Sequence, residues 1–289
     1  LFSKKNLNMK CRNCNNKNLK KIINIGKQPL SGIFLKRIEK KEKKYSLDLF
    51  ICNNCKLVQL GKNAPSDKMF GNRYGYKTSI SNLMTTHLKN IYLKILSKRI
   101  INKNSLILDI GSNDGTFLNF FINSKRLFGA DPSAKKYIKS YKKGTNVLCE
   151  YFTKKNLTKL FLKRKIKQKS FDLITSFAMF YDVNNPNKFC SDVYDLLSPN
   201  GVWILELSYF PLLLKNLTYD QICHEHVTYY TLTSFLNILN KNKLKVIDLN
   251  FNEINGGSIQ LMCVKKNCNK WSINSKKINK VLKDEKKIN

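Results

Sequence analysis

The chain has 289 residues, of which 42% are hydrophobic and 11% aromatic, enough to form a packed core, which excludes a wholly disordered protein. Its formal net charge of +34 would suit a nucleic acid or an anionic surface. The lysines are spread through almost every segment, together with many asparagines and isoleucines, which indicates compositional drift instead. The charge still favours an anionic substrate such as a nucleotide diphosphate.

Targeting and redox signals point to one compartment. Apolar runs such as 202–205 and 210–214 are far shorter than the ~20 residues of a membrane-spanning helix. The first five residues lack the apolar segment of a signal peptide. The nine cysteines are an odd number. Together these features predict a reducing, cytoplasmic compartment with thiols and metal in place of disulfides.

Residues 1–70 contain paired cysteines and short strand-like patches, and we expect a zinc-binding module there. Cys11 and Cys14 form one C-x-x-C pair, and Cys52 and Cys55 form the second. Two such pairs supply four thiolates, the donor set of a closed, structural Zn²⁺ site. The 37 residues between the pairs exceed the ~15–20 of common zinc ribbons. A redox C-x-x-C is the alternative, but two pairs in one chain favour zinc.

Residues 71–265 show a different pattern, and we expect a single α/β domain. Apolar spacing predicts a helix over 79–99. Beyond it, strands and helices alternate, which is typical of a parallel sheet with crossover helices. The expected strands are 106–110, 127–131, 146–149, 171–176 and 202–207, and the expected helices are 115–123, 134–141, 187–197 and 233–240.

The last predicted elements close this sheet. Residues 245–250 and 258–264 are joined by a short link, so we expect an antiparallel pair at the sheet edge. Residues 266–289 are rich in lysine. We expect them to be a solvated helical tail or the start of a further C-terminal domain.

A candidate nucleoside site begins where the first predicted strand of the alternation ends. Asp109, Gly111, Ser112 and Asn113 form a strand end and a glycine turn, where the backbone can approach a ligand closely. Asp131 ends the next strand, 22 residues later, where a carboxylate can accept hydrogen bonds from ribose. The glycines do not follow G-x-G-x-x-G, so a dinucleotide site fits poorly. An ordinary α/β turn is the alternative.

A second candidate site is His224-Glu225-His226, which holds two of the three histidines in the chain. General acid–base catalysis suits histidine and glutamate held in a pocket. Metal binding by an extended segment and a structural polar cluster are the alternatives. The spacing is not H-E-x-x-H, so a metalloprotease is not indicated. Tyr76, in the hydroxyl-rich segment 74–81, is a candidate donor to a developing oxyanion.

The order of these motifs resembles the S-adenosylmethionine (SAM)-dependent sugar C-methyltransferase family. The shared motifs, over residues 11–265, are two C-x-x-C pairs, Y-x-Y-x-x-S-x-S at 74–81, the turn at 109–115, H-E-H and Gly-Gly-Ser at 256–258. The resemblance implies a Rossmann-like class I methyltransferase sheet behind a small zinc-binding module. It also implies SAM as methyl donor, structural Zn²⁺, and a keto-deoxysugar nucleotide as acceptor.

The resemblance also implies roles for the acceptor-site residues. His226 would remove the proton beside the sugar ketone, and the enolate carbon would take the methyl group. Glu225 would orient His226 or accept a hydrogen bond from the sugar. His224 and Tyr76 would lie around the oxyanion.

For SAM, the turn from Gly111 to Asn113 would hold the methionine end, Asp131 would hold the ribose, and Glu150 and Phe152 would lie at the adenine.

Two features of this chain depart from the family. Many members have histidine where this chain has Asp182, which leaves the acceptor open. Members also continue into a domain that helps hold the nucleotide sugar, whereas this chain ends soon after Val264.

Two other functions fit parts of the sequence. O- or N-methylation of another small molecule would keep the SAM site and change the role of residues 224–226. A zinc-ribbon nucleic-acid binder with a degenerate enzyme domain would suit the charge, but not the nucleoside-site and H-E-H signals.

Overall fold

The structure is a computed structural model that describes residues 9–33, 42–70, 74–167 and 170–287. Its first elements are three strands and two helices. In chain order these are β1 (Leu19–Gln28), β2 (Tyr45–Cys52), β3 (Val58–Leu60), α1 (Ser66–Met69) and α2 (Asn82–Ser97).

The remaining elements are mixed strands and helices. They are β4 (Ile107–Ile110), β5 (Leu127–Ala130), β6 (Asn146–Leu148), α3 (Lys154–Lys163), β7 (Phe171–Phe177), α4 (Pro186–Leu196), β8 (Leu197–Ser208), α5 (Phe210–Lys215), β9 (Thr228–Tyr229), α6 (Leu232–Lys241), β10 (Leu244–Asn252), β11 (Ser258–Lys265) and α7 (Ser275–Lys286). Strands and helices alternate from β6 to β10.

The large sheet has the strand order β10-β11-β8-β7-β4-β5-β6. The pairs among β6, β5, β4, β7 and β8 are parallel, and β11 is antiparallel to both β8 and β10. If the five parallel strands are renumbered 1 to 5 in chain order from β4 to β8, their order in the sheet is 3-2-1-4-5. This is the order found in doubly wound nucleotide-binding folds. The reversed strand β11 lies between β8 and β10. This order confirms the predicted Rossmann-like class I methyltransferase sheet and its antiparallel edge pair.

Both faces of the large sheet are covered, as its strands require. Leu108 and Ile110 of β4 belong to one core cluster, which also contains buried residues of α3, α4, α6 and α7. Ile107 belongs to a second core cluster, which contains the buried face of α2. Side chains alternate between the faces of a strand, so a strand buried on both faces reads as a continuous apolar run.

A second, smaller sheet has the order β1-β2-β3-β9. Its first three strands come from residues 19–60, whereas β9 lies directly after the H-E-H segment. β3 pairs with β9 in antiparallel register, with Val58 opposite Tyr229 and Gln59 opposite Thr228. The cysteine-rich segment and the candidate catalytic segment therefore share one sheet.

Two predicted α-helices take a tighter form. Residues 115–123 contain only a 3₁₀ turn at Leu118–Phe120, and 134–141 fall in 3₁₀ structure at Pro132–Ser140. The Asn119 side chain donates to the carbonyl of Ser140 and accepts from the N–H of Lys142. These contacts tie the 3₁₀ turn to residues 140–142.

The C-terminal tail forms a helix, but one of its faces is buried. Ile278, Val281 and Glu285 of α7 lie inside the core. The Glu285 carboxylate accepts hydrogen bonds from the N–H groups of Leu232 and Thr233 at the start of α6, and from the Tyr209 hydroxyl. The predicted tail helix therefore packs one face on the core, while its other residues are mostly exposed. Across the described ranges, none of the helices combines the length and apolar character needed to cross a bilayer.

Candidate functional site

The two cysteine pairs come together in one cluster. The four sulfur atoms lie within 4.8 Å of one another, and the pairs interleave, with Sγ–Sγ distances of 3.4 Å for Cys11–Cys55 and 3.5 Å for Cys14–Cys52. Four sulfurs at ~2.3 Å from a tetrahedral Zn²⁺ would lie ~3.8 Å apart, so the cluster fits this ion. With four protein ligands and no open position, it is a structural zinc site, as predicted.

The same local geometry builds both cysteine pairs. In each, the residue after the second cysteine has a positive φ of 59°, Asn15 in one and Lys56 in the other. Its N–H donates to the carbonyl of the first cysteine at 2.9 Å in both. The repeated turn aims two thiols in one direction, which two thiolate ligands of one ion require.

The first cysteine pair also contacts the large sheet's helices. The Lys241 ammonium on α6 donates to the backbone carbonyl and the side-chain oxygen of Asn13, at 2.9 and 3.0 Å. The Asn187 amide on α4 donates to the same carbonyl at 3.0 Å. The zinc site therefore fixes the position of the small sheet on the larger one.

The main cavity has a volume of about 910 Å³ and lies at the carboxyl ends of β4, β5 and β7. Segments 74–81 and 220–227 form other walls. Ligands of open α/β sheets bind at the carboxyl ends of the strands, and ligand pockets span ~300–1,000 Å³. The cavity is thus a ligand site near the upper end of that range.

One end of the cavity is the glycine turn after β4. Gly111 has a φ of +78°, and a Cβ there would lie 2.8 Å from Cγ of Met179, so only glycine fits the turn. Asn113 also has a positive φ, of 46°. Its side-chain oxygen accepts from the N–H of Thr78 at 2.9 Å. The turn is thereby held against the segment that contains Tyr76.

Asp131 lies beside this turn and is buried. Its Oδ2 accepts from the N–H of Asn113 at 3.0 Å, and its Oδ1 accepts from the N–H and the hydroxyl of Ser133, both at 2.6 Å. Burial raises the pKa of Asp131, while these hydrogen bonds oppose the rise. A carboxylate has about four lone-pair positions, so these three hydrogen bonds leave about one position for a ligand hydroxyl. A second position becomes free if the Ser133 hydroxyl turns away.

Asp109 and Ser112 line the same end of the cavity and also support the turn. Oδ1 of Asp109 accepts from the Thr175 hydroxyl at 2.7 Å. Burial raises the pKa of Asp109 to about 7, and the Thr175 hydrogen bond opposes this. The hydroxyl groups of Ser112 and Tyr141 lie 2.8 Å apart, and the Tyr141 hydroxyl donates to the carbonyl of Asn113.

The two residues expected at the adenine are separated. Phe152 lines the cavity, and its ring centroid lies 5.0 Å from that of Phe189, which gives an aromatic wall. Glu150 is exposed and does not line the cavity. The structure therefore brings Phe152, but not Glu150, to the site.

At the other end of the cavity lies His226, whose ring orientation defines its tautomer. Nδ1 lies 2.9 Å from the carbonyl oxygen of Gln221. A carbonyl only accepts, so Nδ1 carries the proton and Nε2 is the free base. Burial lowers the pKa of His226 below its usual 6.5. Its ring centroid lies 4.2 Å from that of Tyr181, which fixes the plane of the imidazole.

Glu225 lines the same end of the cavity and is buried. Oε2 accepts from the Ser31 hydroxyl and Oε1 accepts from the N–H of Gly32, both at 2.7 Å. Both carboxylate oxygens therefore have donors from the N-terminal segment. These contacts hold the side chain at the wall of the cavity.

His224 lies elsewhere. It is 1% exposed, its Nε2 lies 3.2 Å from the carbonyl oxygen of Tyr45 on β2, and it does not line the cavity. The segment bends between His224 and His226 instead of placing both on one face. In this structure His224 contacts the small sheet, away from its expected position around the oxyanion.

Tyr76 lines the cavity and is 45% exposed. Its ring centroid lies 6.4 Å from that of Tyr74, and its carbonyl accepts from the Asn113 amide at 3.3 Å. Tyr76 therefore lies between the turn after β4 and the open side of the cavity. It shares the cavity with His226 and Glu225.

The metal alternative for the H-E-H segment finds no support in the described ranges, where the four cysteines form the one group of potential metal ligands. Four residues that line or support the cavity were not predicted from the sequence: Ser31, Gly32, Thr175 and Met179. Thr175 and Met179 lie at and after the end of β7, a position that strand alternation could have flagged. Nothing in the local sequence links Ser31 or Gly32 to a partner 194 or 193 residues away.

Two family models match the chain. One, described as "Putative zinc binding domain", matches residues 11–70. The other, described as "Methyltransferase domain", matches residues 84–249, which is more than half of the chain.

The chain is also similar to a protein named C-methyltransferase NovU from Streptomyces niveus. The two are 25% identical over 252 residues, which are 86% of this chain and 59% of the relative. This chain thus spans somewhat more than half the length of that protein.

Among solved structures, the plantazolicin methyltransferase BpumL in complex with a pentazolic desmethylPZN analog and SAH is 15% identical. The match covers 65% of this chain and 87% of that chain, with a TM-score of 0.47. Magnesium protoporphyrin IX methyltransferase from Synechocystis PCC 6803 with bound SAH is 12% identical, with 69% and 92% covered and a TM-score of 0.44. The fold assignment rests on the strand order and the family match, not on these two similarities.

Proposed function

Because the chain belongs to the methyltransferase domain family, we propose that it transfers the methyl group of SAM to a carbon atom of a keto-deoxysugar nucleotide. The name of its relative, C-methyltransferase NovU, supports carbon as the acceptor atom. The high positive charge of the chain favours an anionic acceptor. The division into a zinc-binding module at 1–70 and a methyltransferase domain at 71–265 is part of this proposal.

The observation that carries the proposal is the free-base Nε2 of His226 in the same cavity as the turn after β4. A positioned imidazole with a lowered pKa is neutral at pH 7 and can take a proton from carbon. The cavity has a glycine turn and a buried carboxylate at one end and a base at the other. Two ligands can therefore meet within it.

The chain's own residues suit SAM at the first end. Gly111 provides the close backbone approach, Asp131 retains lone-pair capacity for a ribose hydroxyl, and Phe152 offers an apolar face to adenine. Bound SAM supplies an electrophilic methyl group. Asp109 and Ser112 stabilise the turn through their hydrogen bonds with Thr175 and Tyr141.

At the second end, His226 takes the proton from the carbon beside the acceptor's ketone, and the electrons of that C–H bond form an enolate. Nδ1 keeps its proton, and the carbonyl of Gln221 accepts a hydrogen bond from it, which stabilises the imidazolium that results. Glu225 and Tyr76 line this end and can bond to the sugar. His226 returns its proton to solvent after the transfer.

Proton abstraction can be measured without methyl transfer. With the demethylated product SAH in place of SAM, a nucleoside-diphosphate keto-deoxysugar in deuterium oxide should exchange hydrogen beside its ketone. His226→Asn should slow this exchange by ~10²–10⁴-fold and leave SAH affinity unchanged. His87→Asn, in the one histidine outside residues 224–226, is the control for histidine loss.

The result separates the candidate reactions. Exchange at the parental rate in His226→Asn would mean that another group is the base. SAH binding without exchange in the parent protein, combined with methylation at an oxygen or nitrogen atom, would replace C-methylation by the O- or N-methyl alternative.

A further inference from the structure

The carboxyl groups of Glu225 and Asp182 both line the acceptor end of the cavity, and they differ in their hydrogen-bond partners. Glu225 accepts from Ser31 and Gly32. Asp182, in the turn after β7, also lines the cavity, but its Oδ1 is fully enclosed and has no hydrogen-bond partner. An ionised carboxylate with such an oxygen would be costly to bury.

The surroundings of Asp182 favour its neutral form. Burial, and then the charge of Glu225, raise the pKa of Asp182 well above its usual range. Two carboxyl groups that share a site do not both ionise readily. Because Oδ1 of Asp182 has no hydrogen-bond donor, the neutral form of this carboxyl group is the one that fits the site.

The other titratable groups near Asp182 offer no compensating positive charge. Those whose charge interacts with it are a thiol and four phenols, Cys223, Tyr74, Tyr151, Tyr181 and Tyr229. Burial raises the pKa of each, so all are neutral at pH 7. In the part of the chain that is described, no lysine, arginine or histidine is among the causes that shift the pKa of Asp182.

A neutral carboxylic acid in a cavity has a proton that needs an acceptor. Asp182 and His226 both line the cavity, and the His226 ring packs on Tyr181, the residue before Asp182 in the chain. We propose that Asp182 is a catalytic residue that, as a neutral acid, donates a hydrogen bond to the ketone oxygen of the acceptor while His226 removes the adjacent proton. This inference rests on the proposed function.

His226 and Asp182 have different roles in this step. The C–H electrons move into the enolate, the proton goes to Nε2 of His226, and Asp182 holds its own proton against the developing oxyanion. When the enolate carbon bonds to the methyl group, the ketone re-forms and the S–CH₃ electron pair stays on sulfur. Asp182 then retains its proton and is ready for another cycle.

Three variants test this role through the exchange assay described above, with thymidine diphosphate 4-keto-6-deoxyglucose as probe. Asp182→Leu removes the donor and should slow exchange by ~10²–10³-fold, the loss typical for an oxyanion donor. Asp182→Asn keeps an N–H donor and should lose less. Asp195→Asn, at an exposed carboxylate that pairs with Lys154 outside the cavity, is the matched control and should exchange as the parent does.

The pH profile distinguishes this role from a structural one. Exchange by the parent should fall at high pH as Asp182 ionises, and the Asp182→Asn variant, which cannot ionise, should lack that decline. A difference infrared spectrum at pH 7 between the parent and Asp182→Asn should show the carbonyl stretch of one neutral carboxylic acid in the parent.

Each outcome has a clear meaning. Parental exchange in Asp182→Leu, or absence of the carboxylic acid band, would overturn the role of Asp182 and leave the proposed function intact. Failure of the parent to exchange while it binds SAH would overturn the acceptor class itself. The infrared band would still report the protonation state of Asp182.

Discussion

The carboxylate of Glu225 accepts a 2.7 Å hydrogen bond from the hydroxyl of Ser31, which lies 194 residues earlier in the chain. The N–H of Gly32 supports the same carboxylate. Because β9 also joins the small sheet, the N-terminal segment and the candidate catalytic segment are held together at two points. The zinc-binding part thus helps to shape the acceptor end of the cavity.

Gly32→Ala tests this coupling. A Cβ at residue 32 would lie 2.4 Å from Oε1 of Glu225, so the carboxylate must move. A displacement of this kind can cost ~10²-fold in rate, and we expect a loss of that order in the exchange assay with unchanged SAM affinity. Ser31→Ala removes one hydrogen bond without a clash and should give a smaller loss. Equal exchange in Gly32→Ala and the parent would show that Glu225 is not needed at its present position.

The zinc site predicts a fixed metal content. Elemental analysis should find about one Zn²⁺ per chain, and Cys11→Ser or Cys52→Ser should abolish it and unfold the small sheet. Structural zinc contributes ~10–16 kcal/mol in zinc-finger peptides, far more than β1 to β3 could replace. Cys149→Ser, at a half-buried thiol outside the cluster, should retain full zinc. Zinc content near zero in the freshly purified parent would contradict this assignment.

Helix α7 should stabilise the methyltransferase sheet through Glu285. Its carboxylate accepts from two backbone N–H groups at the start of α6 and from Tyr209. Glu285→Ala leaves these three donors unpaired at ~1–3 kcal/mol each, so the free energy of unfolding should fall by at least about 3 kcal/mol. Asp284→Asn, at the neighbouring exposed carboxylate, should cost under about 1 kcal/mol. Equal denaturation midpoints for both variants would argue against the capping role.

Asp109 should make stability depend on pH. Its pKa is raised to about 7 in the folded protein, mainly by burial, from an ordinary value of ~3.9 in the unfolded chain. The folded state therefore holds a proton that the unfolded state releases, and the contribution to stability falls as the pH rises from about 4 to 7. The denaturant concentration at the midpoint of unfolding should therefore fall less between about pH 4 and 7 in Asp109→Asn than in the parent. Parallel pH profiles for parent and variant would contradict the raised pKa.

The sequence predicts the large sheet well because each strand is a continuous apolar run bounded by turn residues. The cavity's first end follows from the same logic, since Gly111 and Asp131 mark the ends of adjacent strands. The position of His224 and the partners of Glu225 could not be predicted. They depend on β9 pairing with β3, a contact between segments about 170 residues apart, and local periodicity carries no information about it. The 3₁₀ turn at Leu118–Phe120, where apolar spacing predicts an α-helix, has Asn119 bonded to residues 140 and 142, a contact that local periodicity does not reveal either.

Calorimetric titration with SAM tests the central claim most directly. The parent should bind about one SAM per chain. Asp131→Ala should weaken binding by ~1.5–3 kcal/mol, the value of one hydrogen bond to a charged group, because the structure leaves about one lone pair of this carboxylate for ribose. Asp195→Asn, at an exposed carboxylate paired with Lys154, should bind as the parent does. Absence of SAM binding by the folded, zinc-loaded parent would contradict the account.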